Sequence, residues 1–382
     1  MNLVLALSML IPVLHVAHLT GLRNTLAALI AVWALVVLVR QRAFPPLAVP
    51  ASLWLALCLT SAWWSIGAEP TLKSVVTDVA MPFGVFYGAY TASRQPKALS
   101  FIAISLAGSM VALAILTLGE LATRLVVGSA SGSTSLLAYY YPGPGVSSTL
   151  AVYAVPLTLL LIRDGDRRYR GLVYGALGLA ILTGLASLNR MFWLALVVAL
   201  AVFAVWQWPL LSSKQRRAVA LAIGAAVAAA ALVMAYVNGV RGPDDDRRLQ
   251  ALREWSSIAE AAPWLGHGFG KEVVQAASDG RLSAQLARKD SNLHSHAHNL
   301  FVNIVVQVGF VGLAMFCLLL WALGTHAYRG RDPARLSAGA ALVALIATMA
   351  TKNMTDDFMG HAVIVAFWLY AGFLLGRLRP AA

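Results

Sequence analysis

The sequence predicts an all-α polytopic membrane protein with about 12 transmembrane helices and one large polar loop. Of its 382 residues, 59% are hydrophobic and only 12% are charged. Apolar runs near 20 residues, the length that a helix needs to cross a bilayer, recur along almost the whole chain. A soluble core would need polar helix faces, and an outer-membrane barrel would need alternating ten-residue stretches. Neither pattern occurs, so both classes are excluded.

Twelve apolar runs divide the chain into three regions. They predict a nine-span region at 1–238, a polar loop with short helices at 239–297 and a three-span region at 298–382. The first run lacks a basic segment before it and a small-residue cleavage site after it, so we expect a span and not a cleaved signal. The expected limits are 3–20, 24–40, 47–65, 71–93, 96–122, 145–162, 170–187, 191–210, 217–238, 298–324, 335–351 and 360–377.

The basic residues predict the orientation of these spans. With the N-terminus inside, the inner loops hold 16 Lys and Arg residues against three acidic residues, while the remaining 13 basic and 13 acidic residues cancel. The net charge of +13 is therefore the inner-loop signature of a membrane protein. It does not indicate a nucleic-acid partner. Both termini are predicted to be cytoplasmic, and loop 239–297 is predicted to face outward, which in a bacterium is the periplasm.

The polar loop predicts two short helices joined by a glycine-rich turn. Residues 244–262 are predicted to be helical because aspartates favour the start of a helix and Pro263 ends it. The segment PWLGHGFG at 263–270 predicts a turn, and a second amphipathic helix is expected within 271–290.

The histidine-bearing segment before the tenth predicted span is the main candidate for chemistry. His294, His296 and His298 alternate along it, and Asn299 follows. This spacing is compatible with zinc chelation on an extended segment, but no HExxH or cysteine-bearing partner motif accompanies it. A general-base role for His298, next to the helix, is favoured because histidine titrates near neutral pH. The alternative is a histidine at a helix start that only bonds the backbone.

Two arginines are candidate anion ligands. Arg190 lies at the outer mouth of the eighth predicted span, and Arg248 lies in the polar loop. Converging guanidinium groups suit a phosphate or diphosphate, because each binds oxyanions through two parallel hydrogen bonds. The alternatives are a snorkelling side chain for Arg190 and a solvated helix face for Arg248.

Other residues on the same predicted outer face are secondary candidates. Tyr140, within the loop 127–144, suits either an interfacial aromatic belt or a sugar-stacking surface. Lys73, Asp356 and Asp357 lie in short outer loops, where an aspartate would orient a histidine or pair with an arginine.

At these residues the sequence resembles the O-antigen ligase family, within the wider superfamily of ligases and O-antigen polymerases. The family motif is His, then Asn, Ser or Gln, nine residues, and Gly-x-x-Gly/Thr/Tyr. His298 and Asn299, with Gly309 and Gly312, fit it without a gap. The family's Arg-x-x-x-Leu motifs are matched by RMFWL from Arg190 and RLQAL from Arg248, and its Pro-x-x-Gly-x-Gly-x-Gly segment resembles 263–270.

The resemblance implies an integral-membrane, GT-C-like glycosyltransferase of the bacterial inner membrane. Such an enzyme transfers a glycan from undecaprenyl diphosphate to the lipid A–core oligosaccharide on the periplasmic face, with inversion and without metal, nucleotide or other cofactor. It implies His298 as the general base, with Arg190 and Arg248 as diphosphate ligands. Asn299, His296, Tyr140, Lys73, Asp356 and Asp357 remain secondary candidates, and no residue is assigned to a metal.

Three rival functions remain open. An O-antigen polymerase would share the arginine pair but generally lacks the full His-Asn…Gly-x-x-Gly match. An O-linked protein oligosaccharyltransferase of the same superfamily usually carries further C-terminal domains. A transporter of lipid-linked glycan would place charges deep within its spans and would contain paired broken helices, whereas only Asp78 and Glu120 are candidates for such charges.

Overall fold

The structure is a computed structural model, and it describes residues 19–41, 45–95, 97–127, 143–241, 245–279, 282, 297–329, 335–355, 357 and 361–378. Over these ranges the chain is helical and has no strand. The predicted span 3–20 lies outside the described residues, apart from Leu19 and Thr20. The helices are α1 Thr20–Gln41, α2 Ala48–Thr60, α3 Ala68–Val75, α4 Met81–Ser93, α5 Ala98–Val127, α6 Pro144–Asp164, α7 Arg170–Ala186, α8 Arg190–Gln207, α9 Ser213–Arg241, α10 Asp245–Glu260, α11 Lys271–Ser278, α12 Leu300–Arg329, α13 Leu336–Lys352 and α14 His361–Arg377.

Within the described ranges, seven helices are long and apolar enough to cross a membrane, and three shorter apolar helices accompany them. The all-α polytopic membrane class is therefore confirmed, while the count of twelve spans stays a prediction. The seven are Gly21–Arg40, Ala98–Thr123, Pro144–Asp164, Arg167–Ala186, Arg190–Leu210, Ser213–Leu232 and Leu300–Tyr328, and the shorter three are Ala48–Trp63, Leu336–Lys352 and Val363–Arg377.

The predicted span 71–93 is not one regular helix. A π-helical turn at Val76–Ala80 joins α3 to α4, and Pro82 stands in the first turn of α4. Proline lacks the backbone N–H that a continuing helix would use and clashes with the preceding turn, so a π-turn is an understandable accommodation. The buried Asp78 lies within this turn.

Small residues let the central helices approach closely, as is usual where lipid offers no hydrophobic drive. A Cβ at Gly372 of α14 would overlap the backbone of Phe86 in α4, and one at Gly84 of α4 would overlap Ala31 of α1. The interface of α4 with α14 also stacks Phe83 edge-on against Trp368, with ring centroids 5.0 Å apart. Helix α4 therefore packs closely against both α1 and α14.

Helix α12 is broken, which corrects the prediction of a single span at 298–324. Val308 (φ −130°, ψ 16°) and Gly309 (φ 68°, ψ −172°) are non-helical and separate a half-helix, Leu300–Gln307, from the apolar remainder. We call Val308–Gly309 the break. Periodicity could not reveal it, because the residues on both sides are mostly apolar and the apolar run continues through the break.

The contacts of α12 with α13 show that its two halves are not collinear. The Leu300 N–H donates to the Asn353 carbonyl at 3.0 Å, and a Cβ at Gly339 would lie 3.2 Å from the carbonyl oxygen of Ala327. Between these two contacts α13 rises by about 21 Å, whereas a straight α12 would rise by about 40 Å at 1.5 Å per residue. The half-helix must therefore turn across the end of the bundle and not extend away from it.

The helices of the predicted polar loop cover the half-helix. Helix α10 agrees with the predicted helix at 244–262, and α11 occupies the first part of the predicted one within 271–290. Both bury apolar side chains against the half-helix in a small cluster of their own. Its members include Ala251, Trp255, Ile258, Val274, Ala277, Val305 and Val306.

Candidate functional site

His298 stands immediately before the half-helix in an unusual backbone conformation. Its φ is 47°, in the left-handed region, and its side chain is half-buried. Few non-glycine residues adopt this region, although histidine is among the more tolerant ones. Such a conformation persists only where its surroundings hold it, and the next residue supplies that support.

Asn299 caps the half-helix and ties it to α13. Its Oδ1 accepts hydrogen bonds from the N–H groups of Phe301 at 2.9 Å and Val302 at 3.1 Å, which are donors that a helix start leaves without partners. Its Nδ2 donates to the Met354 carbonyl at 2.8 Å. The structure therefore gives this motif residue the role of orienting the backbone next to His298.

The turn that follows α13, residues 352–355, joins several elements at this end of the bundle, and we call it the connecting turn. Its Asn353 carbonyl accepts from Leu300, and the Asn353 side chain donates to the Tyr153 hydroxyl of α6 at 3.0 Å. Just beyond the turn, the Asp357 Oδ2 accepts a hydrogen bond from Asn303 of the half-helix. The predicted secondary residue Asp357 is thus brought to the His298 element.

The connecting turn also reaches the start of the Arg190 helix. The ammonium group of Lys352 donates to Asn189 Oδ1 at 2.8 Å, and Asn189 directly precedes α8, whose first residue is Arg190. Lys352 and Asn353 both have 0% exposure, while Arg190 is half-buried. The elements that carry Arg190 and His298 are therefore joined through two consecutive residues.

Sequence reasoning missed four of these residues, Lys352, Asn353, Asn189 and Tyr153, as parts of one network. Lys352 did carry a signal, because a lysine at the end of an otherwise apolar span is costly unless it serves a purpose. The two asparagines and the tyrosine gave none, since each is an ordinary residue at a helix end or within a span.

The glycine-rich turn at 263–270, which we call the glycine turn, docks into the break of α12. In a regular helix the Val306 and Gln307 carbonyls would accept from the N–H groups of Phe310 and Val311. Here the two carbonyls accept instead from the backbone N–H groups of His267 and Gly268, both at 2.9 Å.

The freed N–H groups on the other side of the break are also satisfied by the glycine turn. Phe310 donates to the Pro263 carbonyl at 2.7 Å, and Val311 donates to the Trp264 carbonyl at 3.3 Å. The four backbone groups that lose their intrahelical partners at the break are thus all hydrogen-bonded to the glycine turn. Broken helices are tolerated in membrane proteins only where such groups are satisfied within the protein.

The glycines of both motifs are required by this close approach. A Cβ at Gly309 would overlap the Trp264 carbonyl, and one at Gly266 (φ 65°) would overlap the backbone of Gln307 and Val308. Gly312 leaves room for the Val308 side chain, because a Cβ added at Gly312 would lie only 2.7 Å from the Cβ of Val308. The Gly-x-x-Gly and Pro-x-x-Gly-x-Gly-x-Gly motifs are therefore two sides of one contact.

The glycine turn is also fixed from the other side, by the segment after α2. Phe269 N–H donates to the buried Ser61 Oγ at 3.1 Å, and Ile66 N–H donates to the His267 carbonyl at 3.2 Å. The Trp64 indole N–H donates to the Leu265 carbonyl at 3.0 Å. The turn is therefore a junction between α2 and α12 and not a free loop, although the side chains of Trp264 and Leu265 are exposed.

The remaining candidates are distributed as follows. Arg248 lies on α10, which packs on the half-helix, although its side chain is not among those that the structure describes. Lys73 is exposed on α3, where its ammonium group lies 3.7 Å from Glu272 of α11. Tyr140, His296 and Asp356 lie outside the described residues. Over the part of the chain that is described, no group of three His, Cys, Asp or Glu residues could hold a metal ion.

Comparison with known proteins adds one finding to this geometry. Residues 175–317 match the family model described as O-antigen ligase. This part of the chain is similar to the O-antigen ligase family. The family resemblance predicted from the motifs is thereby confirmed, and it implies activity of the ligase or polymerase type. Among curated proteins, no significant match is found.

The matched range of the O-antigen ligase domain contains Arg190, Arg248, the glycine turn, His298 and the break. The connecting turn with Lys352 and Asn353, and the segment after α2 that holds the glycine turn, lie outside it. Both contact the matched residues directly. The domain is therefore completed in this chain by elements on either side of the range that the family model covers.

Proposed function

We propose that this protein is an O-antigen ligase, which transfers a glycan from undecaprenyl diphosphate to the lipid A–core oligosaccharide. One observation carries the proposal: the connecting turn links the start of the Arg190 helix to the start of the His298 half-helix. The reaction needs a cation for the leaving group and a base for the nucleophile at one end of the bundle. The link supports that pairing within a domain of this family.

In the proposed reaction the acceptor hydroxyl attacks the anomeric carbon of the donor sugar. A carbon–oxygen bond forms on one face as the bond to the diphosphate oxygen breaks on the other, so the anomeric centre inverts. The bonding electron pair leaves with the diphosphate, and the hydroxyl proton passes to an imidazole nitrogen of His298. Arg190 and Arg248 offset the charge that develops on the leaving diphosphate.

The start of the Arg190 helix suits this task for a second reason. The first N–H groups of a helix lack intrahelical partners, and the helix dipole favours anions at that end. A diphosphate that binds Arg190 would meet these groups as well. Asp357 is bonded to Asn303 of the half-helix that His298 precedes, and the proposal gives these two residues the role of contacting the acceptor sugar or orienting the base.

The proposal includes the predicted topology of the chain. Twelve spans of the bacterial inner membrane would leave both termini in the cytoplasm, with the reaction in the periplasm beneath the loop 239–297. The regions 1–238, 239–297 and 298–382 would then be the nine-span, loop and three-span parts. The donor's polyprenyl tail would lie among the membrane lipids, in a groove between helices, and neither a metal nor a nucleotide would take part.

An in vitro ligation assay tests the proposal. Purified protein is mixed with undecaprenyl-diphosphate glycan and lipid A–core, with chelator and without nucleotide, and the lipopolysaccharide is separated on a gel. We expect a ladder of ligated product that His298→Ala abolishes. His326→Ala is the matched control, because His326 lies at the other end of the same helix, where its ring bonds the Ala322 carbonyl at 2.8 Å.

Three outcomes would decide against parts of the proposal. Retained ligation by His298→Ala would refute the base assignment. A ladder that disappears only with chelator would refute metal independence. If the glycan lengthens on its own lipid carrier while the core stays bare, the protein is a polymerase, and the arginine assignments are then tested on that product.

A further inference from the structure

Lys352 is the most deeply buried cation at the proposed reaction end among the residues that the structure describes. Its side chain has 0% exposure at the end of α13, and its ammonium group donates to Asn189 Oδ1 at 2.8 Å. Removing a lysine from water is costly. A methionine of similar length would fill the same space without that cost. Packing alone therefore does not explain why a charged ammonium group is buried here.

Its partner Asn189 does not make the capping hydrogen bond that its position before a helix favours. Asparagine before the first turn of a helix usually accepts a hydrogen bond from a backbone N–H of that turn. Asn189 occupies this position before Arg190 and makes no such bond. Its oxygen accepts from Lys352 instead, so the start of α8 is held by another helix and not by its own cap.

The backbone just before Asn189 is strained, which is consistent with a segment held from outside. Leu188 has a φ of 49°, in the left-handed region, where a leucine is disfavoured by contacts of its Cβ. Strained residues of this kind persist where the surroundings over-determine the conformation. The bond from Lys352 is one such restraint on the residue that precedes Arg190.

We propose that Lys352 is a positioning residue: through Asn189 it holds Arg190 in place relative to His298. The next residue, Asn353, bonds the first N–H of the half-helix, so one short stretch sets both elements. The inference rests on the proposed function, in which Arg190 binds the donor diphosphate. A displacement of about 1 Å in such a group can lower the rate about 100-fold.

Steady-state ligation kinetics on separately varied donor and acceptor test this role. Lys352→Met removes the donor of the hydrogen bond, and Asn189→Ala removes its acceptor while leaving Lys352 in place. For both variants we expect the KM for the lipid-linked donor to rise about tenfold or more, with the acceptor KM unchanged. Lys271→Met, an exposed lysine at the start of α11, is the control and should leave both constants unchanged.

The double variant makes the test specific to the pair. If Lys352 acts through Asn189, the double variant should lose no more than the worse single variant, because both remove the same hydrogen bond. A lower kcat that matches the loss of folded protein on size-exclusion chromatography, with both KM values unchanged, would indicate only a smaller folded fraction and would overturn the inference. So would an Asn189→Ala variant with wild-type kinetics, which also decides the matter if Lys352→Met fails to fold. Absence of ligation by the wild-type protein would instead refute the proposed function itself.

Discussion

Replacement of Gly309 by alanine should disable the protein while leaving it in the membrane. The added Cβ would overlap the backbone carbonyl of Trp264, and both the carbonyl and its neighbours belong to a turn that is bonded on two sides. Nothing flexible is available to move away. In addition, Gly309 has φ 68° and ψ −172°, a region that side-chain-bearing residues hardly ever adopt.

The expected cost follows from two terms. The backbone conformation costs an alanine about 1–3 kcal/mol. If the glycine turn withdraws to relieve the overlap, four hydrogen bonds across the break are lost, each contributing about 1 kcal/mol. Loss of the four hydrogen bonds costs about 4 kcal/mol, which lies below the stability of a typical domain, about 5–15 kcal/mol. The protein should therefore remain folded overall, with the glycine turn and the half-helix undocked.

Ligation and proteolysis together measure this effect. We expect Gly309→Ala to reduce ligation more than 100-fold, since His298 would lose its fixed position, and to make the segment around the glycine turn sensitive to added protease. Gly324→Ala is the matched control: Gly324 lies in the same helix, and an added Cβ there meets nothing within 4 Å. Equal ligation and equal protease resistance of the two variants would refute the reasoning, because the overlap at residue 309 would then affect neither the glycine turn nor the position of His298.

Three further predictions concern the half-helix and one exposed ion pair. Asn299→Ala should lower the free energy of unfolding by about 1 kcal/mol through loss of the helix cap, and it should also reduce ligation. Asn299→Ser should retain most of the stability and most of the ligation, because serine is also a good cap. Equal behaviour of the two variants in melting and ligation assays would contradict the capping role. Asn303→Ala should weaken ligation by loosening Asp357, and Asp357→Ala should add little to it in a double variant; additive losses in the same assay would show that the two act separately. Glu272→Gln should leave the melting temperature and ligation unchanged, because its ion pair with Lys73 is exposed; a marked loss in either measurement would give that pair an unexpected role.

The class of the protein and most of its candidate residues follow from the sequence alone. Composition and the length of apolar runs establish a helical membrane protein, because a bilayer admits only segments whose backbone groups are satisfied within the helix. The spacing of His298, Asn299, Gly309 and Gly312 was sufficient to indicate the family. These are local properties, so they can be read from neighbouring residues alone.

The sequence also predicts where helices end, but it does not predict which distant residues bond to those ends. Asn299 is a favourable cap by residue type, yet its second bond, to the Met354 carbonyl, joins residues 55 positions apart. The bond from Lys352 to Asn189 spans 163 positions. No periodicity relates such residues, because their contact depends on how the helices are arranged and not on either helix alone.

The break in α12, and the turn of its first half across the end of the bundle, depend on how the helices pack and could not be predicted from the sequence. The run from Leu300 to Leu323 is apolar apart from Asn303 and Gln307, and its hydropathy predicts one continuous helix. The break exists because the glycine turn supplies partners for Val306, Gln307, Phe310 and Val311. An unpaired backbone group in an apolar environment costs several kcal/mol, so a broken helix is stable here only where another segment replaces its bonds.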